Sequence, residues 1–196
     1  MEFIGILGDR GSFKSCFMTS RLAHDARQGR PIIANYQLYF PPQYPVLYLP
    51  FEQIAKLASK TNALKNASIG FEELGIGADS YDFFESQPRA ITEMIAQLRK
   101  DRAICYYNDQ RFNKVAKRLR DQTDGYFLCE DVDRQINPGP SHRDTCKGIA
   151  HITQLDGDMD YMRDFYFDGK PWYSFYNTDE KQHKTEKTKR KGAVAR

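Results

Sequence analysis

The chain opens with an apolar run, Phe3 to Leu7, that breaks at Gly8. A short run of this kind, closed by glycine, predicts a buried strand that ends in a loop. Helix-compatible residues begin at about Lys14, and in CFMTSRLAHDARQG the residues Phe17, Ala23 or Arg21, and Leu22 and Ala26 fall near one helical face. Gly29 follows as a C-terminal stop. Pro31 then starts PIIANYQLYF, whose branched and aromatic residues predict a second strand. Strand, glycine loop, helix and strand together make a βαβ unit.

Further along, PPQYPVLYLP holds four prolines and reads as a connecting loop with a brief extended piece. FEQIAKLASK is a short helix, and ASIGFEELGIG is an apolar strand with Glu72 and Glu73 at its end. In PRAITEMIAQLRKD, Ile91, Met94, Ile95 and Leu98 stand at helical spacing behind a proline suited to a first turn. RAICYYNDQ is a strand that ends in polar groups, RFNKVAKRLRDQ a basic helix and GYFLCEDVD another strand. This alternation implies a mostly parallel sheet with helices on both faces. RDFYFDGKPWYSFY reads as two aromatic strands around Asp168-Gly169, an antiparallel C-terminal hairpin at the sheet edge.

Composition narrows the class. A chain of 196 residues suits one domain, and 40% hydrophobic with 28% charged residues is ordinary for a globular protein. No apolar run reaches the roughly 18 to 20 residues of a membrane helix. The N-terminus reads as a strand rather than a signal peptide, so a soluble intracellular protein without a transmembrane segment is expected. Cys16, Cys105, Cys129 and Cys146 form no CxxC pair, which points to reduced core thiols rather than disulfides or a zinc ribbon. A looser group, Cys129, His142, Cys146 and His151, matches the spacing of no compact zinc finger. Charge is uneven: residues 181–196 carry seven Lys or Arg against Glu186, so the tail holds +6 and the remainder −3 of a net +3. The expected organisation is a domain over residues 1–180 and a basic, disordered tail over 181–196, either a solvated end or an arm for a polyanion.

The loop GDRGSFKS carries the first chemistry. Gly8, Lys14 and Ser15 fit the GxxxxGK[ST] pattern of a phosphate-binding loop, Gly11 is a further small residue within it, and Phe13 stands where that pattern has glycine. Such loops aim successive backbone N–H groups at phosphates, at the positive end of the helix that follows. The expected binding segment is Gly8, Asp9, Arg10, Gly11, Ser12, Phe13, Lys14, Ser15 and Cys16. Phe13 keeps its N–H, and the loop tolerates it if this position takes φ below zero with the side chain turned away from the phosphates. Lys14 is then expected to reach the β- and γ-phosphates of ATP, and the Ser15 hydroxyl to ligate Mg²⁺. Glu72 is placed to hold the metal through water and Glu73 to orient or deprotonate the attacking water. At the end of the YYNDQ strand a polar amide can sense the γ-phosphate, with Gln110 the first choice and Asn108 the second.

GDRGSFKS, PIIANYQL, SIGFEELG, ICYYNDQRFNKVAKRLRDQTDGYFL and GKPWYSFYNTDE together resemble the FtsK–HerA superfamily of P-loop ATPases. More narrowly, they resemble the genome-packaging ATPases of tailless icosahedral viruses with internal membranes, over roughly residues 3 to 180. The resemblance implies an α/β P-loop NTPase fold, with Lys14 and Ser15 as the Walker A pair, Glu72 and Glu73 as the Walker B pair and Gln110 as the sensor. The family has Asp where this chain has Glu72. Asn35, at the end of the second predicted strand, also matches the family pattern and is read as a local hydrogen-bonding residue. The family works as rings in which a neighbour's arginine reaches the γ-phosphate; Arg89, Arg99, Arg118 and Arg120 are the candidates, with helix solvation or DNA phosphate contact as the alternative for Arg118 and Arg120.

The implied function is an ATP- and Mg²⁺-dependent motor that moves double-stranded DNA into a preformed capsid. Its partners would be DNA, further copies of the chain and capsid or membrane vertex proteins, in host cytoplasm or virion. Two alternatives are an assembly or extrusion ATPase of the zonula-occludens-toxin type and a nucleotide-binding adaptor with little turnover. A nucleotide kinase lacks its arginine-rich lid here, and a GTPase lacks its NKxD element.

Overall fold

The computed structural model describes residues 2–58, 60, 62–72, 88–110, 112, 115, 117–132 and 148–177. In chain order these form β1 (Glu2–Leu7), α1 (Lys14–Arg27), β2 (Ile32–Ala34), β3 (Gln37–Leu38), β4 (Val46–Tyr48), α2 (Phe51–Ala58) and β5 (Ser68–Phe71). Then follow α3 (Pro88–Lys100), β6 (Ile104–Asp109), α4 (Lys117–Arg120), β7 (Gly125–Asp131), β8 (Ile149–Asp156), β9 (Tyr161–Asp168) and, after a 3₁₀ turn at Tyr173–Phe175, β10 (Tyr176–Asn177).

Eight strands build one sheet in the order β4-β2-β5-β6-β1-β7-β8-β9. The first six are parallel, and β7-β8 and β8-β9 are antiparallel. β1, β5 and β6 are buried at nearly every position, as expected where helices cover both faces of a parallel sheet. One face packs Phe51 and Ile54 of α2 and Met94, Ile95 and Leu98 of α3 against Phe3, Ile69, Phe71 and Tyr107. The other packs Phe17, Met18, Leu22 and Ala26 of α1 against Ile4, Ile6, Tyr106 and Phe127.

From β1 the chain crosses by α1 to β2, while β6 and β7 arrive later on either side of β1. The C-terminal end of β1 therefore lies where the chain winds away in both directions, the usual location of a ligand crevice in an open α/β sheet. The strand order also places β6 between β1, which leads into the glycine loop, and β5, which leads into the acids. That interposed strand brings its own polar end to the middle of the crevice.

The fold is the expected α/β sheet with an antiparallel edge, but the hairpin is not the one centred on Asp168-Gly169. β9 pairs with β8 across the turn at Asp156–Asp160, and β10 pairs antiparallel with β3 in a separate two-stranded sheet. Asp168-Gly169 instead leaves the sheet: Gly169 N–H donates to the Gly148 carbonyl, and the turn runs on into the 3₁₀ segment. The expected single strand over PIIANYQLYF is likewise split at Asn35 and Tyr36 into β2 and β3, which join different sheets. Within PPQYPVLYLP the brief extended piece is β4, a parallel edge strand beside β2. Residues 178–180 and the basic tail lie outside the described residues.

Candidate nucleotide-binding site

The loop between β1 and α1 turns on three residues with positive φ: Gly8 at 152°, Gly11 at 81° and Phe13 at 67°. At Gly8 the need for glycine is steric as well, since a Cβ there would lie 2.3 Å from the Cys129 carbonyl oxygen and 2.4 Å from Ser12 Oγ. Phe13 departs from the expected route to tolerance. Its φ is not below zero; it holds the left-handed conformation that a glycine takes freely, as the N-cap of α1. A side chain in that conformation costs roughly 1–2 kcal/mol. Its ring is 3% exposed, in the α1-side core with Cys16, Phe17, Phe127 and Cys129. Burying a phenylalanine stabilises by roughly 1.5–3 kcal/mol, enough to offset the backbone cost. The second half of the expectation holds: the side chain turns into the core, and the backbone keeps the loop's shape.

No side chain caps the N-terminus of α1, and its first turn contains no acid. The N–H groups of that turn, together with the positive end of the helix dipole, form a cradle for an anion. Ser12, 3% exposed, adds a buried hydroxyl with no hydrogen-bond partner among the described residues. Lys14 Nζ donates to the Asp9 carbonyl at 2.7 Å, so its ammonium lies folded over the loop. A phosphate suits these donors: uncapped amides, an ammonium, an orphaned hydroxyl and no carboxylate in the turn.

Next to the loop, three strand ends converge. The Ser15 hydroxyl donates to Glu72 Oε1, just past β5, and accepts from Asn108 Nδ2 on β6 at 3.2 Å. Glu72 is itself held from β2. Its N–H donates to Asn35 Oδ1 at 2.7 Å, and its carbonyl accepts from Asn35 Nδ2 at 3.1 Å. Asn35 thus clamps the backbone of the first acid at both polar groups, and Asn108 fixes the hydroxyl that the acid meets. An oxygen pair formed by Ser15 and Glu72 suits a hard divalent cation such as Mg²⁺, which prefers oxygen ligands and keeps several waters. Behind them Tyr36 hydrogen-bonds Thr19 at 3.1 Å, and burial pushes its phenol well above the ordinary range. Burial likewise pushes the Cys129 thiol up to about 12, against a downward pull from nearby Lys14. That thiol stays protonated at neutral pH.

Of the two sensor candidates, Asn108 makes the contact with Ser15, whereas Gln110 stands past the end of β6, its N–H donating to Asp109 Oδ1 at 2.6 Å. Both have the same parity along the strand, so sequence spacing alone did not separate them. Glu73 lies outside the described residues, as do the side chains of Arg89 and Arg118. Arg99 is engaged within the chain, 3.6 Å from Asp124 and donating to the Gln122 carbonyl at 3.3 Å. Asp124 also accepts from the Phe3 N–H at 2.8 Å, which places Arg99 near the start of β1, at the opposite end of the sheet from the glycine loop. Arg120 lies over the Phe112 ring at 4.8 Å. Arg10 is exposed on the loop.

Cys129 and His151 do not form a common metal site. Cys129 pairs with Ile152 and Glu130 with His151, so the thiol and the imidazole leave opposite faces of the sheet. His142 and Cys146 are outside the described residues, among which there is no cluster of three or more metal-ligating side chains.

A mostly parallel sheet with this loop at the end of β1, a helix rising from it and Glu72 just past the end of a strand two places away defines a P-loop NTPase fold. Solved structures with the same architecture include the genome-packaging NTPase B204 of Sulfolobus turreted icosahedral virus 2 in complex with AMPPCP. It is 11% identical at a TM-score of 0.55, over 83% of this chain and 96% of that one. The same NTPase with ATP-gammaS superposes at a TM-score of 0.54 with 12% identity, over 83% and 96%. The N-terminal domain of zonular occludens toxin from Neisseria meningitidis gives 0.53 at 13% identity, over 90% of this chain and 100% of that one. By sequence, no family model and no curated protein matches the chain. The similarity is therefore one of fold. No helix among the described residues is long and apolar enough to cross a membrane.

Proposed function

We propose that the chain is an ATP-hydrolysing motor that translocates double-stranded DNA and packages a viral genome into a preformed capsid. The observation that carries this reading is the meeting of Ser15, Glu72 and Asn108 beside an uncapped, glycine-turned helix start. The fold shared with a genome-packaging NTPase supports the choice of substrate and of work. ATP would supply the phosphoryl group and Mg²⁺ the charge that neutralises it. The chain's part is to bind, orient and stabilise. The amides of residues 11–15 cradle phosphate oxygens, and Lys14 exchanges its bond to Asp9 for a phosphate. Ser15 and Glu72 hold the cation directly and through water, while Asn35 keeps Glu72 in place. Asn108 and Gln110 are the polar groups from which the γ-phosphate is sensed, and Glu73 is the residue that orients the attacking water.

In a ring, Arg89, Arg99, Arg118 or Arg120 of a neighbour would complete the charge stabilisation. Capsid or membrane vertex proteins would anchor such a ring, in host cytoplasm or virion. Contacts with DNA would follow the phosphate backbone rather than sequence.

The test is ATP hydrolysis with Mg²⁺, with and without double-stranded DNA. DNA should stimulate turnover, and Lys14→Ala should lower it by about 100-fold or more. A Lys14→Ala protein as fast as the parent would falsify the site assignment. Specific activity that rises with protein concentration is expected from a trans arginine. Nucleotide binding without turnover would instead identify a structural adaptor. An assembly ATPase of the zonular occludens toxin type is the second reading, supported by the fold match over 90% of this chain; it predicts hydrolysis that DNA leaves unchanged.

A further inference from the structure

We propose that Phe13 is a positioning residue that sets the phosphate loop in its binding shape before nucleotide arrives. This rests on the reading of the loop as a nucleotide site. The loop is pinned at both ends. At one end Gly8 passes so close to the Cys129 carbonyl of β7 that no Cβ fits. At the other, the Phe13 ring is sunk in the α1-side core while its backbone stays left-handed at φ 67°. Between the pins, the Asp9 carbonyl accepts from the Ser12 N–H at 3.2 Å and from Lys14 Nζ at 2.7 Å. The Phe13 carbonyl accepts the first helical bond, from the Phe17 N–H at 2.8 Å.

A glycine at position 13 would adopt the same φ without steric cost, but it would adopt many other conformations as readily. Phe13 does the reverse: it tolerates an unfavourable backbone region and is held there by what its ring buries. A ligand that needs one loop conformation binds more weakly the larger the fraction of molecules that lack it. Phe13 keeps that fraction small, so the loop's amides stay convergent in the nucleotide-free protein. The aromatic residue thus replaces conformational freedom with an anchor, at the position where such loops rely on freedom.

The experiment compares the parent with Phe13→Gly and Phe13→Leu in binding the ATP analogue AMPPCP with Mg²⁺, in ATP hydrolysis, and in hydrogen exchange of the Ser12 amide without nucleotide. Phe13→Gly should raise Kd and KM by about tenfold while kcat falls by no more than about threefold, the split expected when a loop must be ordered at binding. Phe13→Leu, which keeps an apolar anchor, should stay within about threefold of the parent on each. The Ser12 amide, whose N–H is bonded to the Asp9 carbonyl, should be protected in the nucleotide-free parent and exposed in Phe13→Gly. Phe13→Gly that binds as tightly as the parent, or more tightly, overturns the proposal and leaves the nucleotide site standing. A parent that does not bind AMPPCP overturns the site reading itself. Should Phe13→Gly not fold, fast exchange of the Ser12 amide in the nucleotide-free parent would overturn the anchor, and protection there with near-parent binding by Phe13→Leu would support it.

Discussion

The rim formed by the ends of β1, β5 and β6 and the edge formed by β8 and β9 belong to one sheet, yet they are built on opposite terms. At the rim the strands are buried almost throughout, and their polar side chains are held by partners from other strands and from α1. At the edge, β9 exposes six of its eight residues, and Tyr166 is 72% and Tyr161 65% exposed. Polar contacts there are short-range and open to water: His151 with Asp164 at 3.0 Å and Tyr161 with Asp164 at 2.6 Å. The Tyr161 and His151 hydrogen bonds hold the Asp164 carboxyl below the usual range, but its exposure to water leaves that pairing little effect on stability. A site that must place oxygen atoms accurately is thus built where the strands are buried and paired on both sides, and the surface strand has few neighbours to constrain it.

The contrast can be tested by removing the same kind of side chain from each region. Tyr106 on β6 is fully buried, and its hydroxyl donates to Asp25 at 3.2 Å beneath α1. Tyr106→Ala should cost about 3–5 kcal/mol in chemical denaturation, the range for truncating a large buried ring. Asn35→Ala comes next. It leaves the Glu72 N–H without its 2.7 Å acceptor and should cost about 1–3 kcal/mol. Hydrolysis should fall as well, because Glu72 would no longer be fixed against Ser15. A stability loss with turnover unchanged would show that the clamp serves the fold alone. Smallest is Tyr166→Ala on β9, expected within about 0.5 kcal/mol of the parent. A large loss there would mean that the edge is held by contacts absent from the described residues.

Much of the rim was legible in the sequence because its signals are local. An apolar strand, a glycine loop and a Lys-Ser pair opening a helix lie within thirteen consecutive residues, and the acids follow directly on SIGF. What was illegible depends on partners far along the chain. Asn35 was recognised as a polar strand end, but its role comes from Glu72, 37 residues away, through the pairing of β2 with β5. Asn108 and Gln110 have the same parity along the sequence, and only the end of β6 at Asp109 decides that Asn108 reaches Ser15. Phe13 stands out in the sequence as the residue that costs the loop flexibility, while its burial depends on how α1 packs over β7. At the edge, the Asp-Gly pair pointed to the wrong turn. The strand IAHITQLD, preceding the aromatic stretch, alternates too weakly to stand out, yet its pairing with β7 and β9 forms the hairpin.

The central claim is that GDRGSFKS is a working phosphate loop whose shape Phe13 holds. A crystal structure with AMPPCP and Mg²⁺ tests it most directly. The account predicts phosphate oxygens within hydrogen-bonding distance of the amides of residues 11–15 and of Lys14 Nζ, the cation beside Ser15 and Glu72, and Phe13 still left-handed with its ring in the core. Nucleotide bound elsewhere, or phosphates in the loop with Phe13 turned out of the core, would contradict it.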